Sequence, residues 1–317
     1  PGKFPEDHNE RVLKYEFTPQ FNFNVNLDEK FKFSIVTPLY KANLKFLKEA
    51  AHSVFKQSYS NWEWIIVDDG SSTSDSTKYA YELAKQHNRV KVFSNVKNIG
   101  ISRTTNRCVE KSTGDWIVFF DQDDLLHSNA LSLINEEIQK KPDLRIIYTD
   151  EDKIDEDGNH FDPYFKPDWN PALLTSQNYF CHLLVISRKH LDEVGLLKDE
   201  TDGAQDWDLC LRATFGFPAS IIGHLPKVLY HWRAHSGSCA LSIHEKGVQI
   251  IDSSRKVLSD HISRFDIGAE IKQLECGHWN IRRTLPKSNQ SISIVFHGEL
   301  FKGKYLPALE DNLDRMT

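Results

Sequence analysis

Four short and almost wholly apolar runs alternate with segments of helical period over the first 120 residues. The runs are Phe33–Val36, Trp62–Val67, Val90–Phe93 and Trp116–Phe120. A strand with one wet face alternates apolar and polar side chains, whereas a continuous apolar run is buried on both faces, as in a parallel sheet covered by helices. Between the first two runs, Leu44, Leu47, Ala50, Ala51 and Val54 follow helical spacing behind a capping Asn43. Further helices are predicted over about 74–87 and 99–110, and Pro38 is read as the end of the first strand. Strand, helix and strand in this order imply βαβ units with right-handed crossovers. The chain is therefore expected to be α/β and Rossmann-like, with a mixed, mostly parallel sheet flanked by helices.

The pattern continues with a helix over 128–140 and a strand over 144–149, then loosens. Residues 150–182 are rich in Asp, Pro, Asn and aromatics and read as a substrate-facing region. Strands are expected at Leu183–Ile186 and Lys227–His231, a short helix at Asp206–Thr214 and a long one over about 242–264. Residues 269–284 read as a hairpin turned by Cys276-Gly277. Finally, Ser291–Phe296 and the apolar set Tyr305, Leu306, Ala308, Leu309 and Leu313 repeat the first strand and helix, as the start of a second copy would. The organisation expected is an arm over 1–30, a main domain over 31–240, a C-terminal helix and hairpin extension over 241–285, and a truncated repeat over 286–317.

Composition excludes some functions. The net charge is −6, which gives no basic footprint for nucleic acid. No apolar run approaches the roughly 20 residues that span a bilayer. The five Cys, at 108, 181, 210, 239 and 276, are odd in number and lack a CxxC pair. They read as reduced thiols of a cytoplasmic protein.

Ligands of such sheets bind beyond the carboxyl ends of the strands. Those ends carry Thr37, Asp68-Asp69 and Asp121-Gln122-Asp123-Asp124. Three crowded carboxylates on an apolar strand end repel one another without a cation. A hard ion such as Mg²⁺ or Mn²⁺ takes carboxylate oxygens and leaves positions for phosphate. A plainer reading makes Asp124 or Ser128 a cap of the next helix. Asp69 can accept an N–H from a nucleobase, or merely belong to an Asp-Gly-Ser turn. Asn98, Gly100 and Arg103 open a helix whose N-terminus favours phosphate. Neither GxGxxG after the first strand nor GxxxxGK[ST] is present, so neither a dinucleotide nor a Walker site is expected.

Two later segments add chemistry. In Gly203–Leu209, Asp206 at a helix mouth suits a general base, with Trp207 packing an acceptor; the alternative is a capping Asp beside a core Trp. In Tyr230–Ser238, His231, Arg233 and His235 share one strand face and are candidate metal or diphosphate ligands.

Together Ser34–Tyr40, Val67–Ser72, Asn98–Arg103, the DxDD at 121–124 and QDWDL at 205–209 resemble family 2 of the glycosyltransferases, which have the GT-A fold. The resemblance covers about residues 31–240. It implies an inverting transferase moving a sugar from a nucleotide-diphosphate donor, UDP-sugar foremost, to a glycan, glycolipid or glycoprotein hydroxyl. By the resemblance, Thr37, Pro38, Tyr40, Asp69, Asn98, Gly100, Arg103, Asp121 and Asp123 face the donor. Asp123 and Asp124, with His231, hold Mn²⁺ or Mg²⁺, and Asp206 is the base. Gln205, Trp207, Arg233 and His235 face the acceptor. Gln205 stands where the family motif has Glu. Bacterial polysaccharide-assembly members often carry two catalytic domains, so a second such domain or a homo-oligomer is an expected partner. The expected place is the cytoplasm, peripherally at the inner face of the membrane. The competing expectations are a non-catalytic nucleotide- or glycan-binding platform and, without a triphosphate loop to support it, a nucleotidyltransferase.

Overall fold

In a computed structural model of the chain, the described residues are 28–71, 74–235, 243–265, 268–274 and 278–283. The chain divides into two compact units, Pro1–Arg282 and Arg283–Thr317. The N-terminal arm before residue 28 and the repeat read at 291–313 lie outside the described residues.

The four apolar runs become β1 (Phe33–Leu39), β2 (Trp62–Asp68), β3 (Val90–Ser94) and β4 (Trp116–Phe119). They are parallel neighbours in the order β3-β2-β1-β4, with Phe33 facing Trp62 and Trp116. The linking helices are α1 (Leu44–Phe55), α2 (Asp75–Gln86) and α3 (Ile101–Lys111). Asn43 caps α1 by accepting the Lys45 N–H at 2.9 Å.

Pro38 lies inside β1 rather than ending it. Odd-numbered residues of β1 bond toward β2: Phe33 donates to Asn61 and Leu39 accepts from Asp69. Even-numbered ones face β4, whose pairing stops at Val36 opposite Phe119. The missing N–H of Pro38 therefore falls on the side where the ladder has ended.

The chain then forms β5 (Leu125–Leu126), α4 (Ala130–Lys140), β6 (Ile146–Ile154), β7 (His160–Tyr164), α5 (Pro171–Leu174), β8 (Leu184–Ser187), α6 (Arg188–Val194), α7 (Gln205–Thr214) and β9 (Ile222–Arg233). The nine-stranded sheet runs β3-β2-β1-β4-β8-β6-β9-β5, with β7 on β6. It is mixed: β8 is antiparallel to β4 and β6, while β6 and β9 are parallel. A long helix, α8 (Ile243–Phe265), is followed by a pair of strands, β10 (Ala269–Gln273) and β11 (Trp279–Arg283). The expected turn at Cys276-Gly277 lies outside the described residues.

Both faces are covered, as continuous apolar strands require. Ile35 and Leu39 pack with Leu47 and Val54 of α1, Leu83 of α2 and Ile134 of α4. Val36 points to the opposite layer, with Val109 of α3, Leu209 of α7 and Leu258 of α8.

The segment 150–164, read as part of a substrate-facing region, holds the rest of β6, a turn over 155–159, and β7. Asp150-Glu151-Asp152 is a poor strand sequence, yet all three side chains are buried and partnered. Asp150 accepts the Lys166 N–H, Glu151 binds the Lys166 ammonium, and Asp152 meets His160 and His231. Partners distant in sequence override local preference.

Glu63 is the one acid within the apolar run of β2, ahead of the Asp68 that ends the strand. Lys91 Nζ lies 2.8 Å and Lys32 Nζ 3.1 Å from its carboxylate, and the Ser34 and Thr113 hydroxyls donate at 2.8 and 2.9 Å. Burial would raise its pKa, but hydrogen bonds from Lys91, Thr113 and Ser34 outweigh burial and hold it at about 2 against an ordinary 4.5. Because the folded value is the lower one, the stabilisation is complete above the ordinary value and is lost as pH falls toward about 2. Glu63→Gln is expected to cost roughly 3 kcal/mol at neutral pH, from a shift worth about 1.4 kcal/mol per unit. Urea unfolding of both proteins at a series of pH values should show the difference shrinking below the ordinary value.

Candidate active site

The acidic edge begins where β4 stops. Asp124 is buried, and its two oxygens are divided between two bonds to β9. Oδ2 accepts the Tyr230 hydroxyl at 2.6 Å and Oδ1 the Arg233 N–H at 2.7 Å. The reading of Asp124 as a helix cap fails, since α4 begins after Asn129 with no side-chain cap. Asp123 instead turns to His235, with Oδ2 to Nε2 at 2.8 Å. Asp121 faces His182, whose Nε2 lies 3.9 Å from its Oδ2 and whose ring stacks on Tyr230 at 4.7 Å. Gln122 clasps Tyr40, accepting its N–H at 2.8 Å and donating to its carbonyl at 3.3 Å.

These carboxylates feel one another. Burial pushes the Asp124 carboxyl well up, and Asp123 and Asp121 add to that, against the Arg233 N–H and the Tyr230 hydroxyl. Burial also raises Asp121; His182 opposes the rise, while Asp123 and Asp206 reinforce it. The Asp121 side chain is 43 % accessible, so water tempers the effect of burial, and the two neighbouring acids act in the same direction. One ligand atom each from Asp121, Asp124 and His182 lies within 4.8 Å of the others. Oxygen donors crowded in this way, with imidazoles beside them, fit a divalent cation.

Asp206 comes to this edge from α7, far along the chain. Its Oδ2 accepts the Asn178 amide at 2.8 Å. Asp208, two residues on, is buried and bound to Arg212 at 2.8 Å, so the two acids of the motif have separate surroundings. Gln205 accepts the Gly203 N–H at 2.7 Å, a bond an amide makes as well as a carboxylate. Lys166 anchors the segment that presents His182. Its buried ammonium donates to the Phe180 carbonyl at 2.8 Å, to the His182 carbonyl and to Glu151.

On the β2 side, Asp69 is nearly buried and binds the loop before α3. It accepts from Asn95 Nδ2 and the Ile99 N–H at 2.8 Å and from the Gly100 N–H at 3.0 Å. This fixes Gly100 and leaves Asn98 exposed. A Cβ on Gly70 would meet Asn98 N at 2.6 Å, so glycine is required there on grounds of space as well as its φ of +79°. Asp202 binds the start of α3 by accepting the Ser102 N–H at 3.3 Å and the Ser102 hydroxyl. Nothing in the local sequence marks Asp202 for that task.

Four expectations need correction. Thr37 is buried and its hydroxyl accepts the Trp64 indole N–H at 2.9 Å, so that side chain supports the sheet instead of facing a donor. Trp207 is a core residue donating to the Leu174 carbonyl at 2.7 Å. Arg233 is buried, donating to the Asp123 carbonyl at 2.7 Å, the Asp155 carbonyl at 3.1 Å and Glu49 at 2.7 Å. His231 belongs to a different cluster, with Asp152 Oδ1 2.6 Å from its Nδ1. Arg103, by contrast, is exposed at the start of α3, where a donor-facing group would stand, and forms an ion pair with Asp199. β9 ends at Arg233, so His235 lies past the strand, and the period of 2 does not say which neighbours each side chain meets.

Residues 34–195 match the model of glycosyl transferase family 2. The chain belongs to that family. It is 40% identical over 231 residues to an uncharacterized protein of Sinorhizobium fredii, covering 73% of this chain and 25% of that one. It is 36% identical over 263 residues to the O-antigen biosynthesis protein RfbC of Myxococcus xanthus, covering 83% of this chain and 20% of that one. Chondroitin synthase of Escherichia coli is 28% identical over 235 residues, 74% of this chain and 33% of its own length. The chain thus spans a third or less of each of these three relatives. The fold matches Staphylococcus aureus TarS 1-349 in complex with UDP-GlcNAc, at TM-score 0.59 and 18% identity over 74% of this chain and 68% of that one. This is the GT-A arrangement expected from the sequence.

The Tyr230 hydroxyl joins the two sides of the edge, so Tyr230→Phe is expected to cost about 1–3 kcal/mol, the penalty of leaving buried Asp124 Oδ2 unsatisfied. Thermal unfolding reads this directly. A full loss of folding or an unchanged midpoint would both contradict it.

Proposed function

We propose that this chain is the catalytic unit of an inverting glycosyltransferase that moves a sugar from a UDP-sugar to a hydroxyl of a growing glycan. The observation that carries the reading is the convergence of ligand atoms from Asp121, Asp124 and His182 within 4.8 Å at the end of β4, with Asp206 of α7 near enough to add to the rise of the Asp121 carboxyl. Support comes from TarS, crystallised with UDP-GlcNAc, and from relatives named for O-antigen biosynthesis and chondroitin synthesis.

Asp121 and Asp124, with His182, offer the ligand atoms that converge and would hold Mn²⁺ or Mg²⁺, with Asp123 and its partner His235 beside them in place of the expected His231. A carboxylate–imidazole donor set suits Mn²⁺ better than Mg²⁺. When bound, such an ion neutralises the charge of the diphosphate. Asp206 takes the proton from the acceptor hydroxyl, and Asn178 fixes the carboxylate for that task. The freed oxygen bonds to the anomeric carbon as the bond to the diphosphate breaks on the opposite face, so the configuration inverts. Asp69 positions the Ile99–Gly100 backbone beside the nucleotide. A lipid-linked acceptor would place this chemistry at the cytoplasmic face of the membrane.

Isothermal titration of UDP is expected to show binding that requires Mn²⁺ and disappears in Asp123→Ala. Asp206→Asn should bind UDP within about threefold of wild type while kcat falls roughly 10²–10⁴-fold, the usual worth of a general base. Wild-type turnover in that variant would remove the base assignment. Because the Asp121 carboxyl is raised, its protonated form appears at higher pH than for an ordinary carboxylate. Metal-dependent UDP affinity should therefore weaken on acidification before the ordinary Asp range is reached, and excess Mn²⁺ should displace that limb downward.

A further inference from the structure

Asp152 and His231, set aside from the acidic edge above, belong to a second constellation. Asp152 lies on β6, His160 opens β7 and His231 is near the end of β9. The Asp152 carboxylate reaches both rings, with Oδ2 2.8 Å from His160 Nδ1 and Oδ1 2.6 Å from His231 Nδ1. The two rings meet edge to face at 4.7 Å. One ligand atom from each of the three lies within 4.8 Å of the others. Asp152 and His231 are buried, while His160 is exposed. Both His160 and His231 line an open cleft of about 670 Å³ against α1, together with His127.

We propose that Asp152, His160 and His231 form a second divalent-metal site, distinct from the acidic edge, that takes a Zn²⁺-class ion. Two imidazoles and one carboxylate are a set for a borderline ion rather than for Mg²⁺, which prefers oxygen alone and keeps its waters. Three protein ligands leave a fourth position, and the cleft supplies both the entry path and the solvent to fill it. Hydrogen bonding of the rings to Asp152 holds all three groups within a small rearrangement of a coordination sphere. If the ring nitrogens now facing the carboxylate become ligands, each neutral ring moves its proton to the other nitrogen, and each protonated ring releases one. An ion there would tie β6, β7 and β9 together. Tyr230 and Arg233, which hold Asp124, flank His231 on β9, so the site would brace the acidic edge from outside it.

The inference stands independently of the proposed reaction and can be tested apart from it. The chelator-treated Asp121→Ala/Asp123→Ala protein, which removes two carboxylates of the acidic edge, is titrated with Zn²⁺ by calorimetry and with Co²⁺ by visible absorption. One equivalent of Zn²⁺, with visible Co²⁺ bands of low coordination number, is expected. Adding His160→Ala should lower the affinity at least tenfold and abolish the bands. His160 pairs with buried Asp152, so circular dichroism checks that the variant is folded, and His160→Gln, which keeps a hydrogen-bond donor toward Asp152 without an imidazole, repeats the test. Absence of binding in the Asp121→Ala/Asp123→Ala protein, or binding indifferent to loss of the His160 imidazole in a folded variant, overturns the proposal.

Discussion

The hydrogen bonds of one buried carboxylate hold the two halves of this sheet at a common edge. Asp124 follows the parallel half and accepts from Tyr230 and Arg233 of β9 in the other half. A buried acid left without such donors would cost several kcal/mol; with them it fixes how far β9 slides along β5. Arg233 extends the same clamp to the Asp123 carbonyl, to the Asp155 carbonyl and to Glu49 on α1. The acids that remain at the edge, Asp121 and Asp123, are therefore held in place by groups that touch no ligand.

Charge is distributed with the same logic elsewhere. Where an acid is structural, it is buried and fully paired: Glu63 with Lys91 and Lys32, Asp208 with Arg212, Glu151 with Lys166. At the acidic edge the neighbours of a carboxylate are instead other carboxylates and histidines. That imbalance opposes ionisation and is relieved by a cation. In the proposed reaction such an edge has a direct use, since charge would develop on a diphosphate there as the sugar departs.

Much of the fold was legible because its signals are local. Apolar runs four to six residues long marked β1 to β4, and Asn43 announced α1 through its own side chain. The strand end at Asp121–Asp124 was legible as well, because a cluster of acids after an apolar run has few uses. By contrast, β7 and the end of β6 were hidden, since Asp150-Glu151-Asp152 is tolerable in a strand only once Lys166, His160 and His231 arrive from elsewhere. Arg233 and Trp207 misled for the same reason. A guanidinium or an indole reads as a ligand-facing group until its burial is known.

The sequence by itself determined that this is a βαβ chain with carboxylates at the strand ends and an Asp at the mouth of a later helix, because period and residue type are properties of short segments. Only the tertiary structure decided which of those acids confront one another. Asp121 and Asp206 meet because β8 runs back antiparallel between β4 and β6, which lets α7 be packed against the face that α3 covers. Asp124 and Arg233 became clamps, and His231 was carried away to Asp152, because strand register fixes which side chain stands opposite which, and register is set by pairing across the whole sheet.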